Sequence, residues 1–422
     1  MDDHPVRITV DDDLRRSRLT VFFRLLLAIP LLIWLALWSI VALLTAIVGW
    51  FAALFTGRLP EGLHKFLAGY VRFTLHVSAY VGMAANPYPG FTGEPGYPVD
   101  AVIPAREPQR RWKIALRLLL AIPALVLAGM LGSGAGGAGG TPGDDSKLAW
   151  FTNTGVGGVA AACAILGWFV ALARGRMPLG LRDLGAYGIG YTAQANAYLL
   201  LLTDRYPNAN PEALGPTWSL PEHPVLLELA DDGRRSRLTV LFRFLLALPH
   251  FVWLLLWSIA AFVAVLANWF VALFRGRSAG PLHRFLAAYV RYSAHLDAYV
   301  YLVANPFPGF TGAPGYPVDV SIGPAESQSR WVTFFRVFLA IPAFIISTVL
   351  NIVLLVVGIL GWFAALATGQ MPTGIRNLGA VAVRYLAQTN AYVFVLTDHY
   401  PFTGPALRAP AEPDMVVAEA AA

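Results

Sequence analysis

Residues Arg18 to Phe55 read RLTVFFRLLLAIPLLIWLALWSIVALLTAIVGWFAALF, with Arg24 as the one charge after the first residue. The run returns three times. Arg237 opens RLTVLFRFLLALP, Arg111 opens RWKIALRLLLAIP and Arg330 opens RWVTFFRVFLAIP. Each copy is preceded by His or Tyr and then Pro-Val, at His4, Tyr97, His223 and Tyr316. The proline of the A-I-P or A-L-P step follows Pro5, Pro98, Pro224 and Pro317 by the same 25 residues. Such periodicity marks tandem structural repeats. Repeats one and three are the more alike, as are two and four, which points to duplication of a two-repeat ancestor.

Composition agrees with what the run implies. The chain of 422 residues is 57% hydrophobic and 13% charged, with mean hydropathy +0.58. That much apolar surface has no place in water, so a lipid-embedded protein is expected and a soluble single core is excluded. The net charge of +6 comes from arginine, the only lysines being Lys65, Lys113 and Lys147. In this setting the excess speaks to membrane orientation and anionic lipid, and no nucleic-acid partner is expected. The opening MDDHPVRITVDDDLRRSR has no apolar core followed by a small-residue cleavage site, so a removable signal peptide is not expected. Cys163 is the one cysteine and reads as a buried thiol.

Within a repeat the sequence predicts a short strand, a long apolar run and a closing helix. Val6, Ile8 and Val10 alternate, as do Val99, Ala101 and Ile103, Val225, Leu227 and Leu229, and Val318, Val320 and Ile322. These four strands are expected to pair with one another. As a single helix, Leu19 to Phe55 would reach on the order of 55 Å, against a hydrocarbon core of roughly 30 Å. Repeat two carries a glycine-rich insert in mid-run, Gly132 to Gly155, and such a loop cannot lie at mid-bilayer. Arginine flanks the run at both ends, at Arg15, Arg16, Arg18 and Arg58. The run is therefore expected to be a helical hairpin, giving about eight membrane segments with the termini on the cytoplasmic side. It ends at a glycine followed by a polar turn, GRLPEGL, GRMPLGL, GRSAGPL and GQMPTGI, which supplies a left-handed cap.

The expected fold class is mainly α: a polytopic helical membrane protein of four tandem units, each a short strand, an apolar helical hairpin and an amphipathic helix. The boundaries are 1–96, 97–207, a linker at 208–222, 223–315 and 316–403, with a disordered tail at 404–422.

The closing helix carries the chemistry. Aligned on Ala-Tyr, its columns hold Arg72, Gly190, Arg291 and Arg384; then His76, Gln194, His295 and Gln388; then Ser78, Asn196, Asp297 and Asn390; then Tyr80, Tyr198, Tyr299 and Tyr392. Positions i, i+4 and i+8 put Arg72, His76 and Tyr80 on one face. That stripe is expected to face lipid headgroups if the helix lies in the interface, and to line a pathway if the helix crosses. Arg72, His76, Tyr80, Gln194, Asn196, Tyr198, Arg291, His295, Asp297, Tyr299, Arg384, Gln388, Asn390 and Tyr392 are the candidate lipid- or ligand-binding residues. Arg24, Arg117, Arg243 and Arg336 are expected to snorkel to lipid phosphate, and Asp11 to Asp13 to be solvated loop charge. The histidines lack metal-ligand spacing, the GSGAGGAGG stretch lacks the lysine of a phosphate loop, and no serine sits in a nucleophile elbow. Neither metal nor cofactor is expected, nor a catalytic set.

The order of Pro-Val strand, arginine, LLAIP, apolar run, GWFAALFTGRLP, a helix ending in NAY or SAY, and LTDRYP or LTDHYP resembles the bacterial integral-membrane family called domain of unknown function 4389. The resemblance covers nearly the whole chain in four consecutive units. ANPYPGF and ANPFPGF replace the LTD motif in repeats one and three, and repeat two adds its insert. The resemblance implies a bacterial cell-membrane location and this architecture, and it implies no activity. The leading functional reading is a scaffold or accessory protein that binds anionic lipid and docks a protein partner at its cytoplasmic face. A transporter or channel lined by the closing helices is the alternative, and a lipid-modifying enzyme the remote one.

Overall fold

In the computed structural model, which describes residues 4–132 and 158–408, each apolar run folds as helix. Strand β1 (Arg7–Val10) leads to α1 (Arg18–Thr56), and a short turn reverses the chain into α2 (Glu61–Val81). The second repeat contributes β2 (Val99–Val102), α3 (Arg111–Ala115), α4 (Arg117–Leu131), α5 (Val159–Arg174) and α6 (Leu179–Leu199). Repeat three gives β3 (Val225–Leu229), α7 (Arg237–Arg275) and α8 (Gly280–Val300), and repeat four β4 (Val318–Ile322), α9 (Arg330–Leu339), α10 (Ile341–Thr368) and α11 (Thr373–Val393). Two compact units result, the main change falling after Ser219, with Thr348–Val353 and Thr403–Pro405 grouped with the first. Most of the insert and the tail beyond Arg408 lie outside the described residues.

The expected hairpin is corrected. α1 and α7 are single helices of 39 residues that run past Pro30 and Pro249 without a break. In repeat four the step from α9 to α10 falls at Ala340, whose backbone stays right-handed helical. The bonds Ala340 N–H to Arg336 O and Phe344 N–H to Ala340 O carry the helical pattern across it. The physical reason is that Leu37 and Trp38 offer no turn chemistry, and a backbone in apolar surroundings keeps its hydrogen bonds by staying helical. Repeat two makes its detour between neighbouring ends. A Cβ on Gly158 would lie 2.5 Å from the carbonyl oxygens of Gly132 and Met130. α4 and α5 both pack on α6. With the hairpins go the eight expected segments: among the described residues three helices, α1, α7 and α10, are long and apolar enough to cross a membrane. The glycine caps are where the sequence puts them, Gly57, Gly175, Gly276 and Gly369 having φ of 74, 69, 68 and 75°.

The four strands pair two by two. β1 runs antiparallel to β2, with Arg7 opposite Val102 and Val10 opposite Val99, and β3 pairs likewise with β4. Each pair joins consecutive repeats, so a repeat is not closed by itself. Val6, Ile8, Val99 and Ala101 turn inward and are buried. α2 packs on β2, α6 on β1 and β2, and the two closing helices pack on each other. α8 and α11 repeat this in the second half, α8 on β4, α11 on β3 and β4, and each on the other. Gly190 explains itself here, since a Cβ there would lie 2.7 Å from Ile8 Cδ1.

The tryptophan after each run's glycine or asparagine ties one repeat to the next. Trp50 Nε1 donates to Ile114 O at 2.8 Å, and Trp168 Nε1 returns the bond to Val21 O at 3.0 Å. Trp269 to Thr333 O at 2.8 Å and Trp362 to Val240 O at 3.1 Å do the same in the second half. The end of one long run is thus fastened to the start of the other, which sets the two antiparallel.

Candidate functional site

Four arginines that the sequence directs to phosphate turn inward instead. Arg24, Arg117 and Arg336 are 1% exposed and Arg243 is 3% exposed. Each guanidinium closes the C-terminus of its own repeat's closing helix. Arg24 Nη1 donates to Tyr80 O at 2.6 Å and Ala85 O at 3.0 Å, while Nη2 reaches Asn86 Oδ1 at 3.0 Å. Arg243 bonds Tyr299 O at 2.9 Å, Ala304 O at 3.1 Å and both Asn305 oxygens. Arg117 takes Thr203 O at 3.0 Å and Gln109 Oε1, and Arg336 takes Tyr392 O, Thr397 O, Gln328 Oε1 and Asp398 Oδ1. A helix C-terminus leaves unpaired carbonyls and a partial negative charge, and a planar five-donor cation meets both. Snorkelling is corrected for this reason.

The tyrosine column completes these clamps. The guanidinium carbons lie 4.5, 4.1, 4.4 and 4.6 Å from the ring centres of Tyr80, Tyr198, Tyr299 and Tyr392. Each clamp also holds a residue in left-handed backbone, Met83, Leu201, Leu302 and Val395, at a cost of roughly 1–2 kcal/mol for a side chain other than glycine. In repeats one and three a second arginine joins. Arg16 pairs with Asp12 at 2.8 Å and donates to Met83 O, and Arg235 does so with Asp231 and Leu302 O. Asp12, read from sequence as solvated, has 2% of its side chain exposed.

The histidine and glutamine column locks each closing helix to the strand of the other repeat. His76 Nε2 lies 2.9 Å from Asp100 Oδ1 and His295 Nε2 lies 2.9 Å from Asp319 Oδ1. Gln194 Nε2 donates to Val6 O at 2.8 Å, and Gln388 Nε2 donates to Val225 O at 3.0 Å. Arg72 and Arg291 bond the strand carbonyls of Ala101 and Val320 at 3.0 and 2.9 Å, and Arg384 bonds Ala406 O. The stripe finds its partners in strand carbonyls and strand carboxylates, because each closing helix packs on the strands. Asp100 and Asp319 escaped the sequence reading. The signal was there: histidine occupies the column only where the next strand begins P-V-D.

These columns repeat in step with the family match. The family described as Domain of unknown function (DUF4389) matches residues 18–92, 148–209, 237–311 and 330–403. The chain belongs to the DUF4389 family. No curated protein and no solved structure matches it.

In this DUF4389 chain the third column, Ser78, Asn196, Asp297 and Asn390, behaves differently. Ser78 and Asn196 line a void of about 20 Å³ between α2 and α6, and Asn390 is half-buried. Asp297 borders a cavity of about 410 Å³ between α7, α8 and α10. Its carboxylate has neither hydrogen bond nor ion pair among the described residues. The residue is half-buried and lines the cavity.

The Asp100 and Asp319 carboxyls respond alike. Burial pushes both up, but the histidine bond and the N–H groups of Gly96 and Ala101, or of Gly315 and Val320, outweigh it and hold both below the usual carboxylate range. A depressed pKa contributes stability that is present above the unfolded value and lost as pH falls through the folded one. The melting temperature is expected to fall in acid below the ordinary carboxylate range. In Asp100→Asn with Asp319→Asn that acid slope flattens, as read by thermal melts across pH.

Proposed function

We propose that this DUF4389 protein is a membrane-embedded scaffold that holds lipid along its long helices and presents a rigid interior, and that it is not a conduit. The observation that carries this reading is the exposed face of α1. Leu19, Phe22, Leu26, Ile29, Ile33, Leu37, Ile40, Leu44, Val48, Phe51 and Phe55 follow one another at helical spacing, each 46–73% exposed. Such a face, about 55 Å long, belongs in hydrocarbon. The exposed arginines Arg15, Arg18 and Arg58 sit at its ends, where lipid phosphate is within reach. The polar columns do not favour a conduit, because their donors and acceptors are largely taken up between helix and strand.

The same face bears on orientation. Trp34, in the first half of α1, donates to Phe91 O at 2.9 Å, in a loop that also exposes Tyr88 and Glu94. Polar backbone and a carboxylate beside mid-helix are costly at the bilayer centre. With both ends cationic as well, α1 runs along the membrane, and the aromatic loops 86–97 and 305–316 offer a protein partner its docking surface.

Nitroxide labels at Leu26, Leu37 and Val48, on a Cys163→Ala background in vesicles with anionic lipid, test this. Similar shallow depth at all three is expected. Leu37 at the bilayer centre with the other two displaced towards opposite faces would establish the multi-pass arrangement instead, and water exposure at all three would exclude embedding.

A further inference from the structure

The cavity beside Asp297 has the features of a ligand site of its own. Its walls are Val240, Leu241, Phe244, Phe251 and Leu254 of α7, Leu296 and Val300 of α8, and Leu355, Ile359 and Trp362 of α10. About 410 Å³ falls within the roughly 300–1,000 Å³ of small-molecule sites. The cavity opens where Leu241, Phe244, Leu355 and Ile359 are exposed. Gly358 admits the Tyr301 ring to its floor, since a Cβ there would lie 2.8 Å from Tyr301 Cδ1.

Against this apolar wall stands one unpaired carboxylate. From α7 only Arg243 carries charge into the lining, and its guanidinium is held by Tyr299, Ala304 and Asn305 oxygens. Beyond α8, Tyr301 is the other titratable lining group, and α10 contributes none. A half-buried carboxylate set in an apolar wall without a cation is costly, and a cation brought in by a ligand relieves that cost. Burial pushes the Asp297 carboxyl up to about 7, so a proton and a cationic ligand compete for one position. The equivalent residue of repeat one is Ser78, which marks the charge as particular to this half.

We propose that the α7–α8–α10 groove binds a single-chain amphiphile through its protonated amine, the ammonium pairing with Asp297 and the alkyl chain lying along Phe244, Phe251, Leu355 and Ile359. The inference goes beyond the scaffold reading and does not rest on it, since binding is read in detergent solution.

The test uses full-length protein in an uncharged maltoside detergent with dodecylammonium as probe, followed by tryptophan fluorescence and thermal melting. Saturable binding is expected, weakening as pH is lowered from about 8.5 to about 5.5. Asp297→Asn and Asp297→Ser are expected to bind about tenfold more weakly or worse while melting no lower than the parent without probe. Leu355→Trp, which fills the groove and leaves the carboxylate, is expected to block the probe as well. Equal binding by Asp297→Asn, equal binding of dodecanol or dodecyl sulfate, or no saturable binding by the parent overturns the proposal.

Discussion

Replacing Arg336 by methionine is expected to cost about 3–5 kcal/mol, the range for breaking a buried ionic cluster from one side. The side chain is 1% exposed, and its two terminal nitrogens serve four acceptors. Methionine fills much of the volume but takes the guanidinium donors from the Thr397 carbonyl, Gln328 Oε1 and the Asp398 carboxylate, and leaves Tyr392 O with only the N–H of Val395. Each unpaired buried acceptor carries a desolvation penalty of about 1–3 kcal/mol. Lysine is not expected to rescue, because one ammonium on a flexible stem cannot span carbonyls from the helix end and the segment beyond it. Arg330→Met, an exposed arginine at the start of the same run, is expected to stay within about 0.5 kcal/mol of the parent. Thermal melts and gel filtration in detergent check all three. A wild-type melting temperature for Arg336→Met would show that the clamp is not what holds the end of α11.

The second large effect is expected at Gly93 and Gly312, the second glycines of the G-F-T-G loops. Both have positive φ, 64 and 62°. A Cβ on Gly93 would overlap the Gly69 carbonyl oxygen and lie 3.0 Å from Phe73 N, and one on Gly312 would meet Ala288 O and Tyr292 N. Those atoms belong to the backbones of α2 and α8 and cannot rotate away. Gly93→Ala or Gly312→Ala is therefore expected to cost about 3 kcal/mol or more, as left-handed strain and overpacking add. Gly90 and Gly309 give the contrast: nothing lies within 4 Å of a Cβ at either, and alanine there is expected to be near neutral in the same melts.

The clamps and the loops act at one place, where each closing helix ends and the chain turns back to a strand. Tyr80, Tyr198, Tyr299 and Tyr392 each meet there both a guanidinium and, edge-on, a second ring, from Tyr88, Tyr206, Phe307 and Tyr400, at centroid distances of 5.5, 5.4, 5.6 and 5.3 Å. A rigid end of this kind suits a scaffold. It also leaves Asp297, one turn away from Tyr301, as a charge with no such company.

What the sequence determines by itself is what depends on neighbours along the chain. The fourfold repeat, the strands of Pro-Val, the closing helices and the left-handed glycine caps all rest on local spacing and propensity, and the structure has them. The apolar run was legible as a helix with exposed apolar residues for the same reason. Its path was not, because a length argument weighs one helix against the bilayer thickness, whereas the actual helix is held by α2 at its side and by Trp34 bonding a loop 57 residues on.

Only the tertiary structure decides where the polar atoms go. Arg24 and Tyr80 lie 56 residues apart, and Gln194 finds Val6 across 188. A column of arginines or glutamines reads the same in sequence whether it faces a headgroup or a strand carbonyl. Burial settles the difference, since a buried donor must take the nearest acceptor that the fold delivers. Asp297 stands apart on the same ground: among the described residues the fold delivers it no donor, which is why a ligand's cation is the partner proposed for it.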